Sequence, residues 1–298
     1  FIWETTAELK LHKQINTRQN WEKVSRQIAI DKYKKKILSF IRTSAAVLLI
    51  PVLIATYSLF NTLKDWNNLP VEQVELTTAY GLISKITLPD GSEVWLNSGS
   101  SISYPKRFTD NKRNIQLTGE AYFKVTSDKS NRFDVLTPNG LQVSAYGTEF
   151  NVKAYEDEDK IEATLAKGHI EVTEIGQPVS RTLRPGEQVV YYKNTSRMEV
   201  DKVNLAVETS WKDGKMIFRR ANMNEIVQRL ARHFNVDIKL EGEELYDYNY
   251  SATFTTETLS EVLLLLEKTA PIKCTVIEPK QTDDFTYSRR TVIIKTIK

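Results

Sequence analysis

The sequence predicts a single-pass membrane protein built from a short α-helical head, a transmembrane helix, an all-β domain and a small α+β domain. Three observations carry this. Residues 43–63 (TSAAVLLIPVLIATYSLFNTL) contain no Asp, Glu, Lys, Arg or His. Residues 80–203 break into short alternating runs separated by turn residues. From Trp211 onward a strand–helix–strand pattern occurs twice, with Asn222 and Thr258 at the same place in the two copies.

The head comes first. Leu11 and Ile15 lie one helical turn apart, and Trp21, Val24 and Ile28 follow the i, i+3, i+7 rule. Asn20 reads as an N-cap for the second piece. Short helices whose apolar stripes cannot cover one another are marginal in water, so the head is expected to fold on a partner. Trp21, Val24 and Ile28 form one candidate contact ridge; Leu11 and Ile15, with Trp3 nearby, form another. An amphipathic segment lying on the inner leaflet is the competing reading.

Residues 43–63 are long enough for a helix to cross roughly 30 Å of hydrocarbon. Pro51 falls inside the stretch, which membrane helices tolerate. A cleaved signal peptide would have a much shorter n-region than the residues in front of it. Lys32, Lys34, Lys35, Lys36 and Arg42 precede it, whereas only Lys64 follows closely, beside Asp65. The positive-inside rule then leaves residues 1–42 in the cytoplasm and the rest outside the membrane. Residues 1–42 hold ten Lys/Arg and four Asp/Glu, a charge of +6, against an overall +3. Such a head could meet nucleic acid, but juxtamembrane lysines also set topology and meet anionic lipid, and no direct nucleic-acid contact is expected.

Residues 64–79 read as a tether leading into a first strand, VEQVEL. LISKITL, Pro89-Asp90-Gly91 and SEVWL form a hairpin, with Pro presetting φ and Gly taking the left-handed position. Further strands are read in NIQLTG, AYFKVT, FDVLT, LQVSAY, FNVKAY, KIEATLA, HIEVTE, QVVYYK and MEVDKV. Many short strands without intervening helices imply a β-sandwich or a barrel. Beyond them, NMNEIVQRLARHF and TLSEVLLLLEKTA each begin with a capping box, Asn222 with Glu225 and Thr258 with Glu261. The flanking strands are KMIF and VDIKL, then YSATF and IKCTVI, with TVIIKTI closing the chain. Two such units imply one sheet and two helices.

Chemistry is sparse. His12, His169 and His233 are the only histidines, and none has metal-ligand spacing to Cys274 or to another histidine. Cys274 lies in an apolar run and permits no intrachain disulfide. Glu156-Asp157-Glu158-Asp159 lacks the alternation and glycine of a calcium loop and reads as a solvated hairpin tip. Glu120 follows Gly119 between apolar strands; a structural hydrogen bond is expected rather than catalysis, because no second carboxylate stands at a readable spacing. No catalytic, cofactor or metal residues are assigned, and no enzyme is expected.

LPDGSEVWLNSGSSISY, RNIQLTGEAYFKV, FDVLTPNGLQVSAYGTEFNVKAY and ATLAKGHIEV, in this order after an anchor, resemble the FecR family of membrane-bound anti-sigma regulators. The repeat beginning WKDGKMIF resembles the C-terminal domain of members from Bacteroidetes-type bacteria, which is similar to the short N-terminal signalling domains of secretins and TonB-dependent transporters. Trp21 stands where members often carry a tryptophan. The resemblance implies a jelly-roll-like sandwich over 80–205 and a signalling-type domain over 206–298. It further implies a head that holds an extracytoplasmic-function sigma factor, in the inner membrane with N-terminus cytoplasmic and C-terminus periplasmic. The periplasmic part would sense the signalling domain of a TonB-dependent outer-membrane transporter, with a membrane or periplasmic protease acting in several members.

Two rival readings are a membrane-anchored periplasmic carbohydrate-binding or hydrolytic β-protein and a passive envelope scaffold. The hydrolytic rival needs two carboxylates facing each other, with Glu120 in the pair. For docking of the transporter's domain, the final strand, with Val292, Ile293 and Ile294, is the candidate as an open sheet edge; a central place in the sheet would exclude it.

Overall fold

The computed structural model describes residues 17–67, 72–108, 112–138, 140–177, 179–281 and 285–297. The chain divides into two units, residues 1–70 and 71–298.

Among its described residues the first unit forms one helix, α1 (Thr17–Asn67). Residues 17–42 are rich in Lys, Arg and Ile and contain neither Gly nor Pro, so nothing interrupts propagation once the helix has begun. Asn20 therefore lies inside the helix and caps nothing, and the head does not stop before residues 43–63. Trp3, Leu11 and Ile15 fall outside the described residues. Among the described residues no helix is long and apolar enough to cross a membrane.

Among the described residues the second unit begins with thirteen strands: β1 (Gln73–Thr77), β2 (Ser84–Thr87), β3 (Glu93–Leu96), β4 (Ser101–Pro105), β5 (Lys112–Lys124), β6 (Arg132–Leu136), β7 (Leu141–Ala145), β8 (Glu149–Ala154), β9 (Lys160–Lys167), β10 (Ile170–Glu174), β11 (Ser180–Leu183), β12 (Glu187–Tyr192) and β13 (Arg197–Lys202). One half of the domain has the order β1–β4–β5–β6–β7–β10–β11 and the other β2–β3–β5–β8–β9–β12–β13. Strand β5 belongs to both, and β5–β6 is a parallel pair. A single bent, nearly closed sheet thus replaces the expected jelly roll of two separate sheets. NIQLTG and AYFKVT, expected as two strands, form one strand continuous through Gly119.

Gly119 is the joint. Before it β5 pairs with β4 and β6; from it onward β5 pairs with β8. Its φ is 97°, and a Cβ there would lie 2.3 Å from Ser100 Oγ. Only glycine permits the left-handed backbone and the close approach that carry one strand between the two halves. Strand β1 pairs with β4, so the first strand expected in VEQVEL, at the end of the 64–79 segment, supplies an edge of the β-domain.

The C-terminal lobe follows: α2 (Leu205–Thr209), a 3-10 turn (Ser210–Asp213), β14 (Met216–Asn222), α3 (Met223–Phe234), β15 (Val236–Glu241), β16 (Asn249–Phe254), α4 (Leu259–Thr269), β17 (Ile272–Ile277) and β18 (Arg290–Thr296). Asn222 caps α3 by accepting from Glu225 N at 2.9 Å, and Thr258 with Glu261 forms a complete capping box on α4. The lobe has two sheets where one was expected. The first strands of the two repeats pair as β14–β16, and the second strands flank the last one in the order β15–β18–β17. Its core of Phe218, Met223, Ile226, Leu230, Val262, Leu266, Val292 and Ile294 is distinct from the core of the β-domain.

Candidate functional site: a charged junction cleft

The strands β5, β8, β9 and β12 show two faces. Ala121, Val152, Ala163 and Val189 lie in register on one face, as do Phe123, Phe150 and Leu165. All are buried, and the Phe123 and Phe150 rings stack 5.0 Å apart. The other face carries two polar rows: Glu120–Lys153–Glu162 and Tyr122–Asn151–Thr164–Gln188. Alternation along a strand predicts that this second face meets water. Instead Glu120, Asn151, Glu162, Thr164 and Gln188 are buried, because the C-terminal lobe lies over them.

A cleft of about 250 Å³ remains between the sheet and the lobe. Glu120, Lys153, Lys160 and Glu162 line it from the sheet; Glu208, Trp211, Glu225, Arg229 and Arg232 line it from the lobe. Glu120 is locked: Asn97 Nδ2 donates to one carboxylate oxygen at 2.8 Å and Asn151 Nδ2 to the other at 2.9 Å. Asn151 Oδ1 in turn accepts from Trp211 Nε1 at 3.1 Å, which ties the buried indole of the lobe to the sheet. Gln188 Nε2 donates to Thr164 Oγ1 at 2.8 Å and reaches Glu208 at 3.3 Å.

Arg232, on the last turn of α3, closes one end. Its Nη1 donates to Glu158 Oε1 at 2.5 Å and its Nη2 to both Asp157 oxygens, at 2.9 and 3.1 Å. The guanidinium lies 3.7 Å from the centroid of the Tyr155 ring. Its backbone carbonyl accepts from Gly81 N at 3.0 Å. Lys153 adds a 2.8 Å ion pair to Glu158. The acidic run at 156–159 is therefore not wholly solvated: Glu158 is 5% exposed. Charges outside the run, invisible in its own spacing, account for that burial.

Electrostatics follow from burial and neighbours. Burial works against the Glu158 carboxylate, but Lys153 and Arg232 hold its pKa below the usual range. Burial would likewise depress Lys153, and Glu162, Glu158 and Glu120 outweigh it, so its pKa is raised. Glu208 is the opposite case. Burial, then Glu162, push it up to about 7 against the pull of Arg229. Burial lowers His233.

The structure brings Glu120 beside Glu162 and Glu208, a gathering of carboxylates that no sequence spacing revealed. Both Glu120 oxygens are occupied by amide donors, and Glu162 pairs with Lys160 at 2.6 Å. That arrangement holds a fixed acceptor, not the acid–base pair that glycoside hydrolysis needs. Among the described residues no group of His, Cys, Asp and Glu could hold a metal ion.

The assigned residues lie elsewhere. Trp21, Val24 and Ile28 share one face of α1 and are 70%, 50% and 59% exposed. Val292, Ile293 and Ile294 lie on β18, which pairs with β15 on one side and β17 on the other. Val292 and Ile294 are fully buried. The strand is central, so the docking edge assigned to it does not exist. Its three β-branched apolar residues reflect burial in a packed sheet.

Fold and site together define a two-lobed module, an all-β domain whose polar sheet face is covered by its own α+β lobe. The family profile described as FecR protein matches residues 74–171, and that described as FecR, C-terminal matches residues 215–283. The chain belongs to the FecR family. No curated protein matches it. Two crystal structures of a candidate anti-sigma factor from Parabacteroides distasonis share the fold, at 1.65 and 2.50 Å resolution. Both are 24% identical to this chain and cover 76% of it and 100% of their own length, with TM-scores of 0.66 and 0.64.

Proposed function

We propose that this FecR-family protein is a transmembrane anti-sigma regulator. Residues 1–42 hold an extracytoplasmic-function sigma factor in the cytoplasm, residues 43–63 cross the inner membrane, and residues 71–298 receive the state of a TonB-dependent outer-membrane transporter through its signalling domain. Family membership is the observation that carries this reading.

The chemistry of α1 supports it. The face with Trp21, Val24 and Ile28 is open, as a stripe awaiting a partner requires. Further along, Leu53, Ile54, Leu59 and Phe60 are all more than half exposed. Thr56 Oγ1 donates to the carbonyls of Val52 and Leu53 at 2.9 Å, and Thr62 Oγ1 to that of Ser58 at 2.9 Å. Apolar side chains facing outward with hydroxyls satisfied by the helix's own backbone suit a lipid environment.

The test is co-purification of the full chain with its cognate sigma factor. Recovery is expected to fall when Trp21 becomes Ala, since a buried interface tryptophan contributes about 2 kcal/mol or more. Equal recovery of both would remove Trp21 from the contact, and no recovery with either would remove the reading.

A further inference from the structure

Among the described residues, strand β1 is bound on one side only. It pairs with β4; Val74 is half-buried against the core, and the other residues of the strand are exposed. A short edge strand with so little buried area opens locally at small cost. Asn67 ends α1 and Gln73 begins β1. Whatever holds β1 therefore holds the chain that leads from α1 into the sheet.

The loop after β1, residues 78–83, is bound from two sides. On the β-domain, Thr78 N donates to Ser100 O at 2.8 Å, Gly99 N to Thr78 O at 3.1 Å, and Ser98 Oγ to Leu82 O at 3.0 Å. From the C-terminal lobe, the Arg232 carbonyl accepts from Gly81 N at 3.0 Å, and the Arg289 guanidinium lies 4.4 Å from the centroid of the Tyr80 ring. Ile83 lines the junction cleft. Arg232 thus grips Asp157 and Glu158 with its side chain and the loop with its backbone. The seat is shaped for glycine: Gly81 has φ 81°, and a Cβ there would lie 3.3 Å from His233 O.

We propose that loop 78–83 is a strap through which the C-terminal lobe holds β1 on the sheet. Parting the lobes withdraws the Arg232 carbonyl and the Arg289 guanidinium from the strap together, and β1 is then held by β4 alone. A β1 that peels away leaves β4 as an unpaired edge and lengthens the chain between α1 and the sheet. A change at the charged junction thereby reaches the segment next to α1 without rearranging either apolar core. The strap is a device of the fold. It holds whichever partner moves the lobe, so it stands apart from the function proposed above.

The experiment is amide hydrogen exchange of the full chain in detergent, read by mass spectrometry. Two variants act on the lobe side of the strap. Gly81→Ala strains the left-handed backbone and crowds His233 O; Arg289→Ala takes the guanidinium off the Tyr80 ring and leaves the β-domain untouched. Amides of residues 73–78 are expected to exchange at least about tenfold faster in Gly81→Ala and about threefold faster in Arg289→Ala. Those of β8 and β9, in the middle of the sheet, should keep their rates. Rates in β1 within about twofold of the unaltered chain in both variants would show that β4 alone holds the strand, and would overturn the inference. Acceleration confined to Gly81→Ala would credit the loop's own backbone rather than the lobe, and would overturn it too. So would equal acceleration in β8 and β9, the mark of general destabilisation.

Discussion

Arg232 Nη1 and Glu158 Oε1 meet at 2.5 Å although 74 residues separate them in the chain. The pair joins two lobes whose apolar cores are separate. A junction made of charges and amides, without a shared apolar core, is held by a few specific contacts, and each should be separately measurable.

Removing the arginine leaves Glu158 buried with only Lys153 to compensate it. Arg232→Ala is expected to cost about 3 kcal/mol in chemical denaturation. A double-mutant cycle of Arg232→Met with Glu158→Gln should show coupling of about 1 kcal/mol or more. Strict additivity would mean that the two side chains do not act on each other in solution.

Glu208 should make stability depend on pH. Its carboxyl titrates near 7 in the folded protein against an ordinary value of 4.5. A raised folded-state pKa gives stabilisation that is complete below the unfolded value and is lost as pH rises through the folded one. Glu208→Gln should therefore change the melting temperature little near pH 4.5 and raise it above pH 7. The same increment at both pH values would refute a half-buried Glu208 that titrates near neutrality.

Glu120→Gln tests the locked acceptor. The new amide can accept from only one of Asn97 and Asn151, and it turns its own N–H groups toward the other. The expected loss is about 1–3 kcal/mol, the cost of an unmatched buried polar group. Thermal melts of the two proteins decide the matter, and coincident curves would show that water already satisfies this site.

Topology is tested by fusing alkaline phosphatase after residue 80. The lysines before residues 43–63 predict an active reporter. An inactive fusion there, with activity only in fusions made before residue 40, would reverse the orientation and remove the signalling mechanism.

Local patterns were legible without the fold. The N-cap at Asn222, the capping box at Thr258, the hairpin around Pro89-Asp90-Gly91 and the repeat of two strand–helix–strand units depend on residues a few positions apart, although Glu225 pairs with Arg229 and does not complete a box at Asn222. Near-neighbour chemistry is written directly in sequence. So is the FecR motif order, which the family profiles match over 74–171 and 215–283. Glu120 was recognisable as a structural carboxylate because Gly119 and its apolar flanks mark a constrained, half-hidden place.

Tertiary structure alone decided the rest. Whether Gly119 ends a strand or bends one depends on Ser100 pressing against it from β4's side of the sheet. Whether β18 is an edge or a centre depends on which strands arrive on either side. Its own alternation is the same in both cases. Glu158 reads as solvent-facing until Arg232 reaches it from the other lobe, and Glu208 is an ordinary glutamate until folding half-buries it near Glu162. A residue's own sequence neighbourhood sets its conformation, but its charge state and its exposure are set by atoms that only folding brings near.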